Sequence, residues 1–579
     1  MHSLTTSSRR PSVDLRQRAA VALTAILVGI VASVCTIAFR EGFAALQSLL
    51  FGRPLSDGMD VARAAPSWLV LLAPVAGGLV VGLLARYALP SGRVQGISDV
   101  IERGDMRPTR LTWRTGAVAA LASTAAIGTG ASVGREGPMV HLGATVGASI
   151  AKRFSLSADA IRQMVACGAA AGVAASFNAP IAGALFAAEV IVGRYTIYAF
   201  APLVIASVSG TIVSRLYFGD LQEFDVPVVG IEAYAEVPSF ALLGLACAAL
   251  ALAFIRGTAL LDRAWNATKV PQMLRPAIGG LGLGLIAMQW PEVLGVGYES
   301  TSAAIAGGFT IGAALVLLAA KLVASSVCLG SGMAGGIFSP VLMIGALLGC
   351  AWGGAMALIA PEISSSVSVY ALVGMGALAA AALGAPLSTT LIVFEMTGNY
   401  PVTLAVLLAS VVSSVTVNEL WGYSYFTWQL AQRGVHARWT RADALLNDAT
   451  VASVSAPAAP AVAADTKVAD WLRGDAPRGL VVDDAGRFVG CVTRSSLAHA
   501  AWRGDLPADA ALSDVVETVP TLTPDTRLVV VLDMLKGEDV PGLVLIDPDR
   551  RPLAYLRRED LIRRYHEIID EAYRQDARG

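Results

Sequence analysis

The segment Gly134-Arg135-Glu136-Gly137-Pro138 sets a guanidinium and a carboxylate between two glycines, just ahead of a run of small residues. A second cluster, Gly336-Ile337-Phe338-Ser339-Pro340, follows Gly330-Ser331-Gly332-Met333-Ala334-Gly335 and has the same frame from glycine to proline. Proline in the first turn of a helix forfeits no hydrogen bond the helix would make, and glycine lets other atoms approach the backbone. A helix opened in this way presents free N–H groups and the positive end of its dipole. Partial positive charge of that kind holds an anion without the full counter-charge that would trap it. An acidic side chain at membrane depth is costly and by default functional, which singles out Glu136. The bland alternative is an ion pair with Arg135. Neighbours in sequence do not face each other on a helix, so Glu136 is not expected to pair with it.

The elements that must position these residues are membrane helices. The chain has 579 residues, 55% hydrophobic and only 15% charged, where a soluble protein carries about 25% charge. Between Lys321 and Glu395 the only charged residue is Glu362, and none lies between Pro401 and Asn418. Segments at about 19–39, 67–88, 197–217, 238–255, 311–330 and 401–418 are long enough to span roughly 30 Å of hydrocarbon. Segments 112–133, 138–151, 162–176, 178–192, 336–360, 368–383 and 385–397 are short, rich in Gly and Ala, or broken by Pro. Arg9, Arg10, Arg16 and Arg18 precede the first span, so a cytoplasmic N-terminus is expected and a cleaved signal peptide is not. The six cysteines, at 35, 167, 247, 328, 350 and 491, have no CxxC spacing and read as small hydrophobes. No metal site is expected. A net charge of −1 gives no footprint for nucleic acid.

Two repeats organise the chain. Gly134–Gly147 and Gly336–Gly349 align with Pro138, Gly143 and Gly147 on Pro340, Gly345 and Gly349, an offset of 340 − 138 = 202. Further on, Gly168, Ala179-Pro180 and Glu189 match Gly374, Ala385-Pro386 and Glu395, an offset of 395 − 189 = 206. Interrupted hydrophobic segments at matching places in two halves indicate an inverted repeat with its site near the midplane. Glu189 and Glu395 read as helix-end caps rather than transport residues, and His141 as a packed or hydrogen-bonded side chain rather than a proton carrier. After about Gln429 the sequence becomes charged. There GLVVDDAGRFVGCVTRSSL (479–497) and GLVLIDPDRRPLAYLRREDL (542–561) each read as strand, turn, strand and helix start, with Ser496 and Asp560 equivalent.

The GREGP and GxFxP segments, in this order and in equivalent halves, resemble the signature of the CLC chloride channel and chloride/proton antiporter family, over about residues 20–430. The tail resembles a tandem pair of CBS domains. The resemblance implies a multi-pass all-α membrane fold with an inverted repeat and broken helices, followed by an α+β tail. The organisation read this way is a cytoplasmic tail 1–18, a membrane domain 19–430, a linker 431–444, CBS domains at 445–505 and 512–570, and a last tail 571–579. It also implies a homodimer in the bilayer, each subunit moving chloride or another small anion. A bacterial inner membrane with both termini cytoplasmic is the expected setting. Carried over residue by residue, Glu136 is the gating carboxylate, and Ile337 and Phe338 supply N–H groups to a bound chloride. The anion-binding residues carried over are thus Arg135 and Gly137, which flank the gate, with Ile337 and Phe338, and at the inner end Gln95, Gly96, Ile97 and Phe426.

This chain departs from the family pattern at four places. Gln95, with Gly96 and Ile97, stands where the family has a GSGIP segment whose serine contacts the anion. Phe426 stands where the family closes the inner end with a tyrosine, unless a slip of one residue gives that role to Tyr425. Val190 replaces the inner glutamate of proton-coupled members. In the tail, Thr493 is followed by Ser496 and Asp560 is preceded by Arg557, so neither nucleotide signature (Thr or Ser, then Asp three residues on) is complete. No cofactor is expected, and adenine nucleotide binding should be weak or absent. The function read from these residues is anion transport, channel-like or weakly proton-coupled, with strict chloride/proton exchange as the alternative. A CBS-bearing divalent-cation channel would need carboxylates converging in the pore, whereas the membrane half shows few acidic residues and has helix-opening Gly/Pro clusters instead. A membrane enzyme of the zincin type would need a motif such as HExxH, and none is present.

Overall fold

The computed structural model describes residues 15–576 apart from 107–110, 194–196, 221–223, 225, 228–229, 434, 436–448, 455–459, 504–506, 508 and 535–541. Arg9 and Arg10, most of the expected linker 431–444 and the start of the first tail repeat lie outside the described residues. The chain divides into two compact units between Ala437 and Arg438, inside that linker.

The first unit opens with α1 (Leu15–Phe51), α2 (Met59–Ala64), α3 (Ser67–Ala88), α4 (Ile97–Met106) and α5 (Trp113–Gly128). The first broken set is α6 (Glu136–Arg153), α7 (Ala158–Phe177) and α8 (Pro180–Phe186), the last continued by a π-helical turn, Ala187–Val192. Then come α9 (Ile197–Phe218), α10 (Val237–Ala267), α11 (Arg275–Ala287), α12 (Tyr298–Ile305) and α13 (Ile311–Gly330). The second broken set is α14 (Phe338–Ile359), α15 (Val367–Leu383) and α16 (Pro386–Thr397), followed by α17 (Tyr400–Trp421) and α18 (Tyr425–Gln432).

Among the described residues eight helical stretches are long and apolar enough to cross a membrane. Six coincide with the spans read from sequence. The other two, Ala158–Phe177 and Phe338–Ile359, stood among the short or broken segments, and the structure corrects them to full spans. The Gly and Ala content of Ala158–Phe177 dilutes its hydropathy because it packs against protein rather than lipid, whereas Phe338–Ile359 reads as broken only because Pro340 falls in its first turn. Of the most apolar window of Ala158–Phe177, 83% is buried. Small residues let helices pack closely where lipid supplies little hydrophobic drive.

The aligned glycines do the same work in both halves. A methyl at Gly143 would lie 2.1 Å from the Gly168 carbonyl oxygen, and one at Gly168 only 1.9 Å from that of Gly143. In the second half a methyl at either Gly345 or Gly374 would lie 2.4 Å from the other's carbonyl oxygen. These contacts lock α6 on α7 and α14 on α15. Each second helix then ends on a left-handed residue before Ala-Pro. That residue is Asn178 (φ 55°) in one half and Gly384 (φ 70°) in the other, and left-handed backbone favours Gly and, among side-chain residues, Asn.

The second unit holds two three-stranded sheets of the same design. In the first, β1 (Ala461–Ala463) pairs parallel with β2 (Arg478–Val482), and β2 antiparallel with β3 (Phe488–Thr493). In the second, β4 (Thr521–Leu522), β5 (Gly542–Ile546) and β6 (Pro552–Arg557) repeat that order. The register shift falls at the equivalent step, Val481/Val482 and Leu545/Ile546. Leu480, Phe488 and Cys491 of the first repeat share one core with Val544 and Tyr555 of the second, and Phe488 N–H donates to the Arg550 carbonyl at 2.8 Å. The two repeats therefore pack on each other as one body.

Candidate anion site

The two Gly-rich loops meet. Gly134 N–H donates to the Gly336 carbonyl at 2.6 Å and Gly336 N–H returns to the Gly134 carbonyl at 2.7 Å, a one-step antiparallel bridge. Close approach needs glycine here: a methyl on Gly137 would lie 3.0 Å from the Gly336 Cα. This bridge sets the starts of α6 and α14 side by side.

Glu136, the first residue of α6, is 0% exposed. Its carboxylate crosses to the start of α14, where the Ser339 hydroxyl donates within 2.7 Å of both oxygens and the Ser339 N–H donates to Oε2 at 3.2 Å. From a third element, Tyr298 Oη donates to Oε1 at 2.6 Å. Arg135 Nε is 3.9 Å from Oε1, while its guanidinium lies 4.5 Å above the Tyr298 ring and reaches the Ser176 carbonyl at 3.4 Å. The expectation that Glu136 and Arg135 stay apart is therefore corrected to a long ion pair. Arg135 is the N-cap of α6 rather than a residue inside it, and its long side chain folds back over the helix start.

Sequence reasoning missed two of these residues. Ser339 lies inside the quoted motif, but only its neighbours Ile337 and Phe338 were assigned. Both neighbours are buried, with the Phe338 ring 5.0 Å from that of Phe177 and 5.9 Å from that of Phe186. Tyr298 lies outside every aligned segment. Its signal was the preceding Gly295-Val296-Gly297, in which both glycines are left-handed, with φ 64° and 88°. Lys321 of α13, 0% exposed, fixes that turn by donating to the Val293 and Gly295 carbonyls at 3.0 and 2.9 Å.

The residues read as the inner side come in on α4 and α18. Gln95 is buried at the start of α4. Gly96, read from sequence as anion-binding, donates its N–H to Asp99 Oδ2 at 3.0 Å. The Asp99 carboxylate also takes Arg93 at 2.6 and 3.1 Å and Arg433 at 3.4 Å. Ser98 Oγ donates to Gln429 Oε1 of α18 at 2.6 Å. Tyr425 packs toward Phe254 and Trp428, with ring centroids 6.4 and 5.7 Å away, and the Phe426 ring stands at 81° to it. The two aromatic rings thus meet edge to face, and that of Tyr425 lies toward α10.

Glu189 and Glu395 cap helices, each in the opposite half. Glu189 accepts from the N–H groups of Leu387 and Ser388 and from the Ser388 hydroxyl, at 3.1, 2.9 and 2.7 Å. Glu395 accepts from the N–H groups of Ile181 and Ala182, at 2.9 and 2.7 Å. Val190 is buried in the π turn beside Glu189. His141 is buried within α6. In the tail, the Thr493 and Ser496 hydroxyls bond each other at 2.7 Å. The Asp560 carboxylate is taken by Arg557 through two bonds of 2.9 and 3.2 Å, and the Arg557 guanidinium hydrogen-bonded to it holds its pKa below the usual carboxylate range.

The model of the voltage gated chloride channel family matches residues 77–418, and that of the CBS domain matches residues 512–567. A putative ClcB-like chloride channel protein of Ralstonia nicotianae is 37% identical over 414 residues, covering 70% of this chain and 95% of the relative. Two solved structures share the fold. A slow cyanobacterial Cl−/H+ antiporter superposes with a TM-score of 0.64 at 24% identity, covering 71% of this chain and 97% of its own. A eukaryotic CLC transporter superposes with a TM-score of 0.61 at 19% identity, covering 93% and 97%. The glycine-bridged pair of helix starts and the sequence match lead to one assignment: this chain is an integral membrane protein of the voltage gated chloride channel (CLC) family that carries a CBS domain near its C-terminus.

Proposed function

We propose that the chain moves chloride across the bilayer by a channel-like or weakly proton-coupled route, with the Glu136 side chain as its gate. One observation carries this reading. A fully buried carboxylate, itself an anion, sits on a hydroxyl, a helix-start N–H and a phenol from two other elements. A donor set that holds a carboxylate suits an anion of similar charge once the side chain turns away. Val190 offers no ionisable group for an inner proton route, and Glu189 is engaged by the start of α16. Crossing apolar protein without a relay is strongly unfavourable for a proton.

The chain is read as a homodimer with one pathway per subunit, in a bacterial inner membrane with both termini cytoplasmic. The arginines before the first span support that orientation. The tail, with the 445–505 repeat as a second CBS domain, is read as a regulatory unit. Its Asp560–Arg557 pair and incomplete signatures support weak or absent nucleotide binding.

The test is the reversal potential of purified protein in liposomes under combined chloride and pH gradients. The reading expects a potential set by the chloride gradient alone. A potential displaced by the pH gradient at a fixed stoichiometry establishes an exchanger, and Glu189 is then the first residue to replace.

A further inference from the structure

On the inner side of the pathway Gln95 stands where the family pattern has a serine hydroxyl, and Phe426, or Tyr425 in the other register, where it has a tyrosine. Two hydroxyls converge at the outer end, on the gate. The Ser339 hydroxyl lies within 2.7 Å of both carboxylate oxygens and Tyr298 Oη within 2.6 Å of one. Both residues are buried. They come from different helices, and each is held independently of Glu136. Ser339 is fixed by the first turn of α14. Tyr298 is fixed by the turn tied to Lys321 and by the Arg135 guanidinium over its ring.

We propose that the hydroxyls of Tyr298 and Ser339 are direct ligands of the transported anion, forming with the Ser339 N–H an outer site that opens when Glu136 leaves. The inference rests on Glu136 being the displaceable occupant. A spherical halide has no internal geometry to read, so a site selects it by the number and rigidity of its donors. Here an O–H from each of two helices and an N–H from the start of α14 meet one carboxylate. No rearrangement of the protein is needed to present them to an ion in its place. The phenol adds a further feature. Its ring lies under the Arg135 guanidinium, so positive charge beside the ring favours donation from Oη to an anion.

The test is chloride titration calorimetry on purified full-length protein with Glu136→Ala, which empties the site of its carboxylate. Adding Ser339→Ala or Tyr298→Phe removes one hydroxyl and keeps the packing, since Phe still lies under Arg135. A hydrogen bond to a charged group is worth about 1.5–3 kcal/mol, so each change should weaken chloride binding by about 10-fold or more. Ser339→Thr in the same background should restore the parent affinity. Chloride affinity within twofold of the parent in either hydroxyl variant overturns the proposal. The gate is judged separately, by the pH response of flux in Glu136→Gln. Lost pH response with unchanged affinity in the hydroxyl variants overturns the donor assignment and leaves the gate standing. The converse pattern overturns the gate and leaves the donors.

Discussion

The two halves of the membrane unit share one frame but use it differently. Both cross glycines at a helix pair, both end that pair on a left-handed residue before Ala-Pro, and both send a glutamate to cap the other's short helix. At the centre the equivalence stops. The first half supplies the acceptor, Glu136, and the second supplies the donors at Ser339. Elements that keep the halves together are symmetric, and elements that handle charge are not. The tail repeats the lesson: at the place where one repeat has a pair of hydroxyls, Thr493 and Ser496, the other has an ion pair, Arg557 and Asp560.

The harshest test of the shared frame is at the crossing glycines. Gly168→Ala places a methyl 1.9 Å from a carbonyl oxygen, and Gly374→Ala places one at 2.4 Å. Overpacking costs about 1–3 kcal/mol and sometimes more. Gly168→Ala should therefore lose about 3 kcal/mol or more, and more than Gly374→Ala. Thermal unfolding of the purified proteins gives the order, and a Gly374→Ala protein as stable as wild type would break the equivalence of the two crossings.

The caps come next. Glu189 receives one donor more than Glu395, the Ser388 hydroxyl, whose counterpart in the first half is Ala182. At about 1.5–3 kcal/mol for bonds to a charged group, less where water competes, Glu189→Ala should cost about 3 kcal/mol and Glu395→Ala about 2. Ser388→Ala should remove most of the difference. Equal losses in the two alanine variants, measured by the same unfolding assay, would leave the extra hydroxyl without effect.

A smaller effect is expected where the chain departs from the family frame. Gln95→Ser exchanges an amide for a hydroxyl at the start of α4. It should shift relative permeability from nitrate toward chloride by about threefold, under 1 kcal/mol. Identical chloride/nitrate ratios in liposome flux would remove Gln95 from the pathway.

The smallest effect belongs to the tail. Asp560 has a depressed pKa because Arg557 bonds its carboxylate. A carboxyl depressed in the folded state stabilises it above the unfolded value of about 3.9, and that contribution fades as pH falls through the folded value. Arg557 is half exposed, with side-chain exposure of 45%, so solvent screens the pair and its contribution is small. Hydrogen exchange at β6 in full-length protein should show wild type better protected than Arg557→Ala near neutral pH, and the two should converge in acid. Thr493→Ala should show no such convergence. Protection that is independent of pH would dissolve the contrast between the repeats.

Much of this was legible before the structure, for a physical reason. Gly134–Pro138, Gly336–Pro340 and the two Ala-Pro steps are backbone devices, and backbone devices restrict residue type. Glu189 and Glu395 were legible as caps because each precedes a helix end, although their crossing between halves was not, since it depends on packing 198 and 214 residues apart in sequence. Tyr298 was hidden for the opposite reason. A single phenol on a short helix follows no period, and only the fold brings it to Glu136. The engagement of Gly96 by Asp99 was hidden because the same Gly-rich start can serve a ligand or the chain's own carboxylate. Helix α7 was undervalued because a hydropathy reading penalises the small residues that tight packing requires, and α14 because Pro340 reads as a break although it lies in the first helical turn.

The crossed caps also order events in time. The N–H groups of Ile181 and Ala182 find their acceptor 214 and 213 residues later in the chain. At a synthesis rate of about 5–20 residues per second, those groups wait roughly 10–40 s before Glu395 exists. During that interval α8 has no native partner for its first turn, and exposed backbone in hydrocarbon is costly. The first half is thus made as an unfinished part. It is completed only when the second arrives, and a ribosome stalled between Glu189 and Glu395 would leave in the membrane a half that cannot close on its own.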